Sequence, residues 1–273
     1  MTLLHQQITF CNFDGTYTQQ PKLLAQLPHR WIDFSQLRGT SLYCSPEAFA
    51  SICEQMNKIP DCGLTFWGSG NYHYAALAQL RSIQHPFTLV LFDHHTDLQE
   101  GSIGSLLSCG SWVRHALSEL THLKKVMIIG PEPVRSQGAA LPERHLVTIF
   151  PERSLPSAQR LAAQIPTEAI YISVDKDLLS ERDAKTNWSQ GTLPIKTLVH
   201  LLDQLIECKQ VEGLDVCGEW PVRPHQSYNQ QTRAWIHRNE RSNWAIAQTF
   251  IRHQQSPKPG SAYPVTDSSK HVM

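Results

Sequence analysis

The chain has 273 residues, 41% of them hydrophobic, which is enough to bury a large core in one domain or two small ones. Its 24 Lys and Arg residues balance 24 Asp and Glu residues, a formal net charge of +0, which argues against nucleic acid or an anionic membrane as a partner. No apolar run is as long as a membrane-spanning helix, and seven cysteines without a Cys-x-x-Cys pair are typical of reduced thiols in a cytoplasmic protein.

The first third of the chain predicts two strands and two helices. Residues 7–13 have the composition of a strand, and a helix is expected to begin after Ser45. There a hydroxyl can cap the first turn, and Pro46 suits the first helical position. A second strand, over 63–67, runs into polar residues and His73, at the entry to a helix over 73–81.

The most informative stretch is the largely apolar run 87–92, which ends in the sequence Asp-His-His-Thr-Asp at 93–97. Such a run predicts a buried parallel strand, and ligands of open α/β sheets bind at the carboxyl ends of strands. Because side chains alternate along extended chain, Asp93, His95 and Asp97 share a face and His94 points elsewhere. These three residues are therefore candidate ligands of a cation.

The remaining sequence alternates between strands and helices. A Gly- and Ser-rich loop over 99–108 is followed by predicted helices over 112–120, 157–164, 193–208 and 226–253, and by predicted strands over 124–130, 145–150, 168–175 and 211–217. We expect a single three-layer α/β domain over 1–255, with a mostly parallel β-sheet flanked by helices. The polar tail 256–273 is predicted to be disordered.

Three predicted strand ends together supply six candidate metal ligands, which are His73, Asp93, His95, Asp97, Asp175 and Asp177. Six ligands are more than one zinc ion uses. Four carboxylates and two imidazoles without a cysteine favour a pair of Mn²⁺-class ions. Two ions roughly 3.5–4 Å apart lower the pKa of a shared water, so this set predicts hydroxide at neutral pH.

The order of these motifs resembles the ureohydrolases, the arginase and agmatinase superfamily, over roughly 63–221. The resemblance implies an arginase-like fold and two manganese ions per chain. One ion would be held by His73, Asp93, Asp97 and Asp175, and the other by His95, Asp177 and the bridging Asp93 and Asp175. It further implies that hydroxide attacks a guanidinium carbon and that urea leaves.

The resemblance also implies a glutamate after the last strand that binds the guanidinium. We assign that role to Glu219, one position later than in the family pattern, with Asp215 as the second choice. Asp97 and Glu219 are then the predicted catalytic residues. A simple hydrogen-bonding role for Glu219 beside Trp220 is the alternative.

The departures from the family pattern bear on the substrate. Arginases that act on free arginine bind its α-carboxylate and α-amino groups through the loop after the second motif, where they also carry a proton-shuttling histidine. Here that loop, 98–112, contains no histidine. With segments 43–47 and 108–112, the chain looks more like a divergent branch that includes peptide arginases, which convert arginine residues of ribosomally made precursor peptides to ornithine. The implied partner is an arginine-containing precursor peptide.

Other functions stay open at this point. The chain could act on a free small guanidino compound, as arginase or agmatinase does. It could be an Asp-His-His manganese phosphoesterase, although such enzymes need more acids near the N-terminus than Asp14 supplies. A non-catalytic relative that binds metal or a peptide would explain the missing histidine, and a single-zinc deacylase is a weaker alternative.

Overall fold

The computed structural model describes residues 3–59, 62–100, 106–132, 142–222, 226 and 228–254. The strands, in chain order, are β1 (Gln7–Asn12), β2 (Arg30–Asp33), β3 (Tyr43–Cys44), β4 (Cys62–Phe66), β5 (Phe87–Phe92), β6 (Leu107–Ser108), β7 (Leu123–Ile129), β8 (Val147–Phe150), β9 (Ala169–Asp175) and β10 (Gln210–Cys217). The helices are α1 (Pro21–Gln26), α2 (Pro46–Asn57), α3 (Ala76–Leu80), α4 (Trp112–Glu119), α5 (Ala158–Gln164), α6 (Ile195–Cys208) and α7 (Gln230–Gln254).

Eight strands form one sheet in the order β2-β1-β4-β10-β9-β5-β7-β8, and all neighbours pair in parallel. The four central strands are therefore β4, β10, β9 and β5. Because all of them run the same way, their carboxyl ends meet at one edge, where α/β proteins bind ligands. The predicted parallel α/β fold is confirmed.

Helices cover both faces of this sheet. Buried side chains of α5, α6 and α7 pack in one cluster with Val90 and Phe92 of β5. Buried side chains of α2, α3 and α4 pack in a second cluster with Leu89 and Leu91. The alternation of side chains along β5 thus supplies both cores, and each buried apolar side chain contributes about 1.5–3 kcal/mol.

Several predicted boundaries are confirmed, and others differ for local reasons. Ser45 caps α2, since its Oγ accepts the Ala48 backbone N–H at 3.2 Å. The helix expected over 73–81 begins instead as a 3₁₀ turn at Gly70–Ala75, before α3. The strand expected over 145–150 is shortened to β8 by a 3₁₀ segment at Pro142–Leu146.

One pair of strands was not predicted. Residues Tyr43 and Cys44 of β3 pair antiparallel with Ser108 and Leu107 of β6, which is too short a pair for sequence periodicity to show. Residues 101–105 of the predicted loop and the predicted tail 256–273 lie outside the described residues. Within the described ranges, no helix combines the length and apolar composition needed to cross a membrane.

Candidate metal centre

A cavity of about 160 Å³ opens at the carboxyl ends of β5 and β9. All six predicted ligands lie on its wall, which the structure therefore assembles from three separate segments. The lining residues are Leu42, Tyr43, Gly70, His73, Asp93, His95, Asp97, Gln99, Ser108, Cys109, Gly110, Asp175, Asp177 and Trp188.

The first group of candidate ligands surrounds His73. Its Nδ1 lies 3.3 Å from Asp93 Oδ2 and 3.2 Å from Asp97 Oδ2. Asp175 Oδ2 is slightly farther from this nitrogen, at 3.7 Å. Ligand atoms that share one ion, with bonds of about 2.0–2.3 Å, lie roughly 3–3.8 Å from one another. These separations fit one ion between His73, Asp93 and Asp97, while Asp175 is grouped with His73 and Cys217.

The second group surrounds His95, whose Nδ1 lies 2.8 Å from Asp177 Oδ2 and 3.6 Å from Asp93 Oδ1. Asp93 thus presents Oδ2 to the first group and Oδ1 to the second, as a bridging carboxylate does. Asp175 differs from expectation here, because its Oδ1 accepts the backbone N–H of Asp177 at 2.9 Å. The structure places Asp93, and not Asp175, between the two groups.

Burial makes this concentration of carboxylates costly without a cation. Burial and the charge of Asp93 raise the pKa of Asp97 to about 7. Burial, together with neighbouring carboxylates, also raises the pKa of Asp175 and of Asp177. The ionised forms thus repel one another in a site with little water.

The environment of the Asp93 carboxyl indicates which kind of ligand the site would bind. Burial disfavours ionisation of Asp93, yet hydrogen bonds from His73 and His95 hold the pKa of its carboxyl below the usual range. Its buried Oδ2 faces only His73 Nδ1, at 3.3 Å, and makes no hydrogen bond of regular geometry with the described residues. A buried carboxylate oxygen needs a partner, and a divalent ion between the two groups would provide one. The residues present therefore fit a pair of oxygen-preferring divalent ions.

Further contacts hold the ligand side chains in place. His73 Nε2 lies 2.9 Å from Ser173 Oγ, which in turn donates to Asp215 Oδ1 at 2.9 Å. The Nε1–H of Trp112 donates to Asp97 Oδ2 at 2.6 Å. Such outer contacts fix the orientation and basicity of metal ligands.

Asp97 has an unusual backbone conformation. Its φ is +51°, in the left-handed region that residues other than glycine rarely adopt. Strain of this kind costs on the order of 1–3 kcal/mol and is concentrated at functional sites. In this backbone conformation the Asp97 carboxylate faces the His73 ring.

The structure does not bring the two predicted substrate-binding acids to this cavity. Asp215 is linked to His73 through Ser173, whose Oγ donates a hydrogen bond to Asp215 Oδ1. Burial raises the pKa of Asp215 to about 6. Glu219 is fully buried in an ion pair with Lys176, and it also accepts from Gln20 Nε2 at 2.8 Å. Neither Glu219 nor Asp215 is therefore among the described residues that line the cavity.

Gly218 explains the position of Glu219. Its φ is +87°, and a Cβ at this position would come within 2.4 Å of Asp175 Oδ1. Only glycine fits so close to the Asp175 carboxylate, and after this turn the next side chain, Glu219, pairs with Lys176 and Gln20. The sequence identified Glu219 as an acid after the last strand, but it did not show this turn.

The sequence analysis missed three contributors to the site. Trp112 and Ser173 stood within the motifs but were given no role, because their roles depend on contacts between distant segments. Cys217 could have been found, because it stands two residues after Asp215 and therefore on the same face of β10, at the strand end. Its Sγ lies 3.1 Å from Asp175 Oδ2. The predicted ligand set contained no cysteine, and the structure adds a thiol beside it.

Away from the acid cluster, the cavity wall is uncharged. The other described residues that line it are Leu42, Tyr43, Gly70, Gln99, Ser108, Cys109, Gly110 and Trp188. Among the described lining residues there is no Lys or Arg. The described part of the cavity mouth therefore offers hydrogen-bonding groups and aromatic surface, and no Lys or Arg for a substrate carboxylate.

Comparisons with known proteins agree with this geometry. A model described as the Arginase family matches residues 23–237. A Thermotoga maritima protein described only as uncharacterized is 29% identical over 234 residues, which cover 83% of this chain and 88% of that protein.

Solved structures share the fold at low sequence identity. The Entamoeba histolytica arginase in complex with L-ornithine has a TM-score of 0.63 and 12% identity, covering 90% of this chain and 99% of that one. Proclavaminate amidino hydrolase from Streptomyces clavuligerus has a TM-score of 0.63 and 15% identity, covering 91% and 92%. Formimidoylglutamase from Bacillus subtilis has a TM-score of 0.60 and 16% identity, covering 89% and 87%.

Proposed function

The chain belongs to the arginase family, and from that premise we propose that it is a dimanganese hydrolase of arginine residues within a peptide. The products are urea and a peptide that contains ornithine. The substrate is an arginine-containing precursor peptide, and the reaction takes place in the cytoplasm.

The metal half of the proposal is supported by the two groups of ligands. His73, Asp93, Asp97 and Asp175 would hold one ion, while His95, Asp177 and a second oxygen of Asp93 would hold the other. Such a pair of ions supplies a nucleophile at neutral pH and stabilises charge that develops in the transition state.

The peptide half is supported by one observation, that the described residues lining the cavity outside the acid cluster are uncharged. Free arginine brings an ammonium and a carboxylate on its α-carbon, and each would lose water on binding without an ionic partner among the described lining residues. A peptide brings neutral amide groups to the same place. Gln99 and Ser108 can hydrogen-bond such amides at the rim.

The chain's own residues would then position the side chain. The cavity of about 160 Å³ is smaller than the roughly 300–1,000 Å³ of pockets that enclose whole ligands. It has room for one extended side chain, with the rest of the substrate outside. Trp188, whose ring centroid lies 5.8 Å from that of His95, offers an aromatic face on which a planar guanidinium can stack.

The phosphoesterase alternative is less well supported. Asp14 does not line the cavity, and its Oδ1 accepts the Thr16 side chain instead. His94, the middle residue of the Asp-His-His sequence, also does not line the cavity. The extra acids that a phosphoesterase would need are therefore not among its lining residues.

Substrate comparison tests the proposal. Urea release by the Mn²⁺-loaded chain is measured with a terminally blocked arginine peptide, free arginine and agmatine, beside an Asp97→Ala control. We expect kcat/KM to be at least tenfold higher for the peptide, mainly through KM, and to be abolished by the substitution. Equal or better turnover of free arginine would reject the peptide half, and faster turnover of agmatine would assign a free amine as substrate. Urea from none of them would reject the hydrolase.

A further inference from the structure

Cys217 is placed against the first group of metal ligands by the pairing of the two central strands. In the register of β9 and β10, Cys217 lies directly beside Asp175. Its Sγ is 3.1 Å from Asp175 Oδ2, the same oxygen that faces His73. The Cys217 side chain is fully buried, so this thiol contacts the site and not the solvent.

The separations between the candidate ligand atoms of this group are compatible with one shared ion. Candidate ligand atoms of His73, Asp175 and Cys217 all lie within 4.8 Å of one another. With a bond of about 2.3 Å to sulfur and about 2.1 Å to oxygen, neighbouring ligand atoms on an ion stand roughly 3.1–3.6 Å apart. The contact of 3.1 Å between Cys217 Sγ and Asp175 Oδ2 fits the lower end of this range.

A second observation shows that this side of the cluster is open to a cation. Asp93 Oδ2, which faces the same His73 nitrogen, is buried and makes no hydrogen bond of regular geometry with the described residues. Gly218 follows Cys217 directly, and its lack of a Cβ allows the backbone of β10 to approach the Asp175 carboxylate closely. The thiol therefore stands beside carboxylate oxygens that face a single shared histidine nitrogen.

We propose that Cys217 Sγ is a further ligand of the ion held by His73 and Asp175. This inference deepens the proposed function and rests on its metal centre. A ligating thiol gives up its proton to solvent. The first group then has nitrogen, oxygen and sulfur ligands, whereas the group around His95 has nitrogen and oxygen alone.

The inference makes the two ion positions chemically unequal. Thiolate ligands favour softer ions such as Zn²⁺ and Co²⁺, and carboxylate-rich sites favour Mn²⁺. The position beside Cys217 should therefore retain a softer ion when the position beside His95 exchanges it. Mixed loading of the two positions is the expected result when both kinds of ion are available.

Cobalt spectroscopy of the full chain tests this assignment without relying on activity. Metal-free protein is titrated with Co²⁺, and bound cobalt is counted by visible absorption and by calorimetry. We expect two ions to bind and a sulfur-to-cobalt charge-transfer band in the near ultraviolet that saturates after one of them. Cys217→Ser should lose this band and still bind cobalt. Cys109→Ser, a matched control at a cysteine that lines the cavity, should keep it.

The outcomes separate this inference from the metal centre itself. Two bound cobalt ions without the band in the wild-type chain would overturn the sulfur ligand and leave the dimetal centre standing. Loss of the band in Cys109→Ser would also overturn it. Failure to bind cobalt at all would reject both. If Cys217→Ser fails to fold, cadmium NMR of the wild-type chain decides, since one of two resonances should shift downfield through sulfur coordination.

Discussion

Replacing Lys176 by methionine should destabilise the metal-free protein strongly. Lys176 and Glu219 form an ion pair in which both side chains are 0% exposed. The substitution leaves the carboxylate buried without its counter-ion, and breaking a buried ion pair from one side costs about 3–5 kcal/mol. Glu219 keeps its hydrogen bonds from Gln20, at 2.8 Å, and from Asn243, at 2.6 Å. We therefore expect the lower end of that range.

The double substitution K176M/E219Q tests whether the loss of stability comes from an unpaired buried charge. Glu219→Gln alone should also be destabilising, because it leaves the Lys176 ammonium buried without a carboxylate. In the double variant neither charge is left unpaired, so its loss should be smaller than the sum of the two single losses by about 2 kcal/mol or more. The exposed pair Lys58–Glu54 provides a control, and Lys58→Met should not change stability measurably.

Urea unfolding in the presence of a chelator measures these free energies. For a chain of this size, a loss of about 3 kcal/mol corresponds to a fall in Tm of roughly 6–12 °C. Because Lys176 stands between Asp175 and Asp177, the same variant should also show a smaller Tm gain on addition of Mn²⁺. A K176M loss below about 1 kcal/mol, or additive losses in the double variant, would refute the role of the pair.

Three further changes probe the ligand shell. Trp112→Phe removes the hydrogen bond to Asp97 and should weaken Mn²⁺ binding about 10–100-fold in calorimetry; unchanged affinity would contradict this. Ser173→Ala interrupts the path from His73 to Asp215 and should weaken binding by a similar factor, whereas an effect on stability alone would assign it a structural role. Mn²⁺ at 100 times its Kd should stabilise the wild-type chain by about 2.7 kcal/mol; Asp177→Asn should lose most of this gain, and a full gain would exclude Asp177 as a ligand.

The fold and the metal cluster followed from local sequence, because both depend on patterns within single strands. The apolar run of β5 and its polar end predicted a buried strand and its candidate ligands. The strand ends at Phe92 and Asp97 has a φ of +51°, so Asp93, His95 and Asp97 reach the cavity without the strand alternation that was expected. The parallel sheet then brought β4, β5 and β9 to a common edge. All six predicted ligands accordingly line one cavity.

The errors concern residues whose position depends on the backbone turn or on distant contacts. Gly218 has a φ of +87°, and the Glu219 side chain that follows this turn does not line the cavity. The alternation of residues along a strand does not predict such a turn. Asp215 belongs to the same strand face as Cys217, but its partner Ser173 comes from β9. The contact of Trp112 with Asp97 likewise joins α4 to a loop, so only the folded chain shows it.

The most direct test of the proposed function is hydrolysis in water labelled with ¹⁸O. A terminally blocked arginine peptide is incubated with the Mn²⁺-loaded chain, and the peptide and the released urea are analysed by mass spectrometry. The proposal predicts ornithine in the peptide, ¹⁸O in the urea and neither product with Asp97→Ala. An unchanged peptide, with the protein folded and two ions bound, would contradict it.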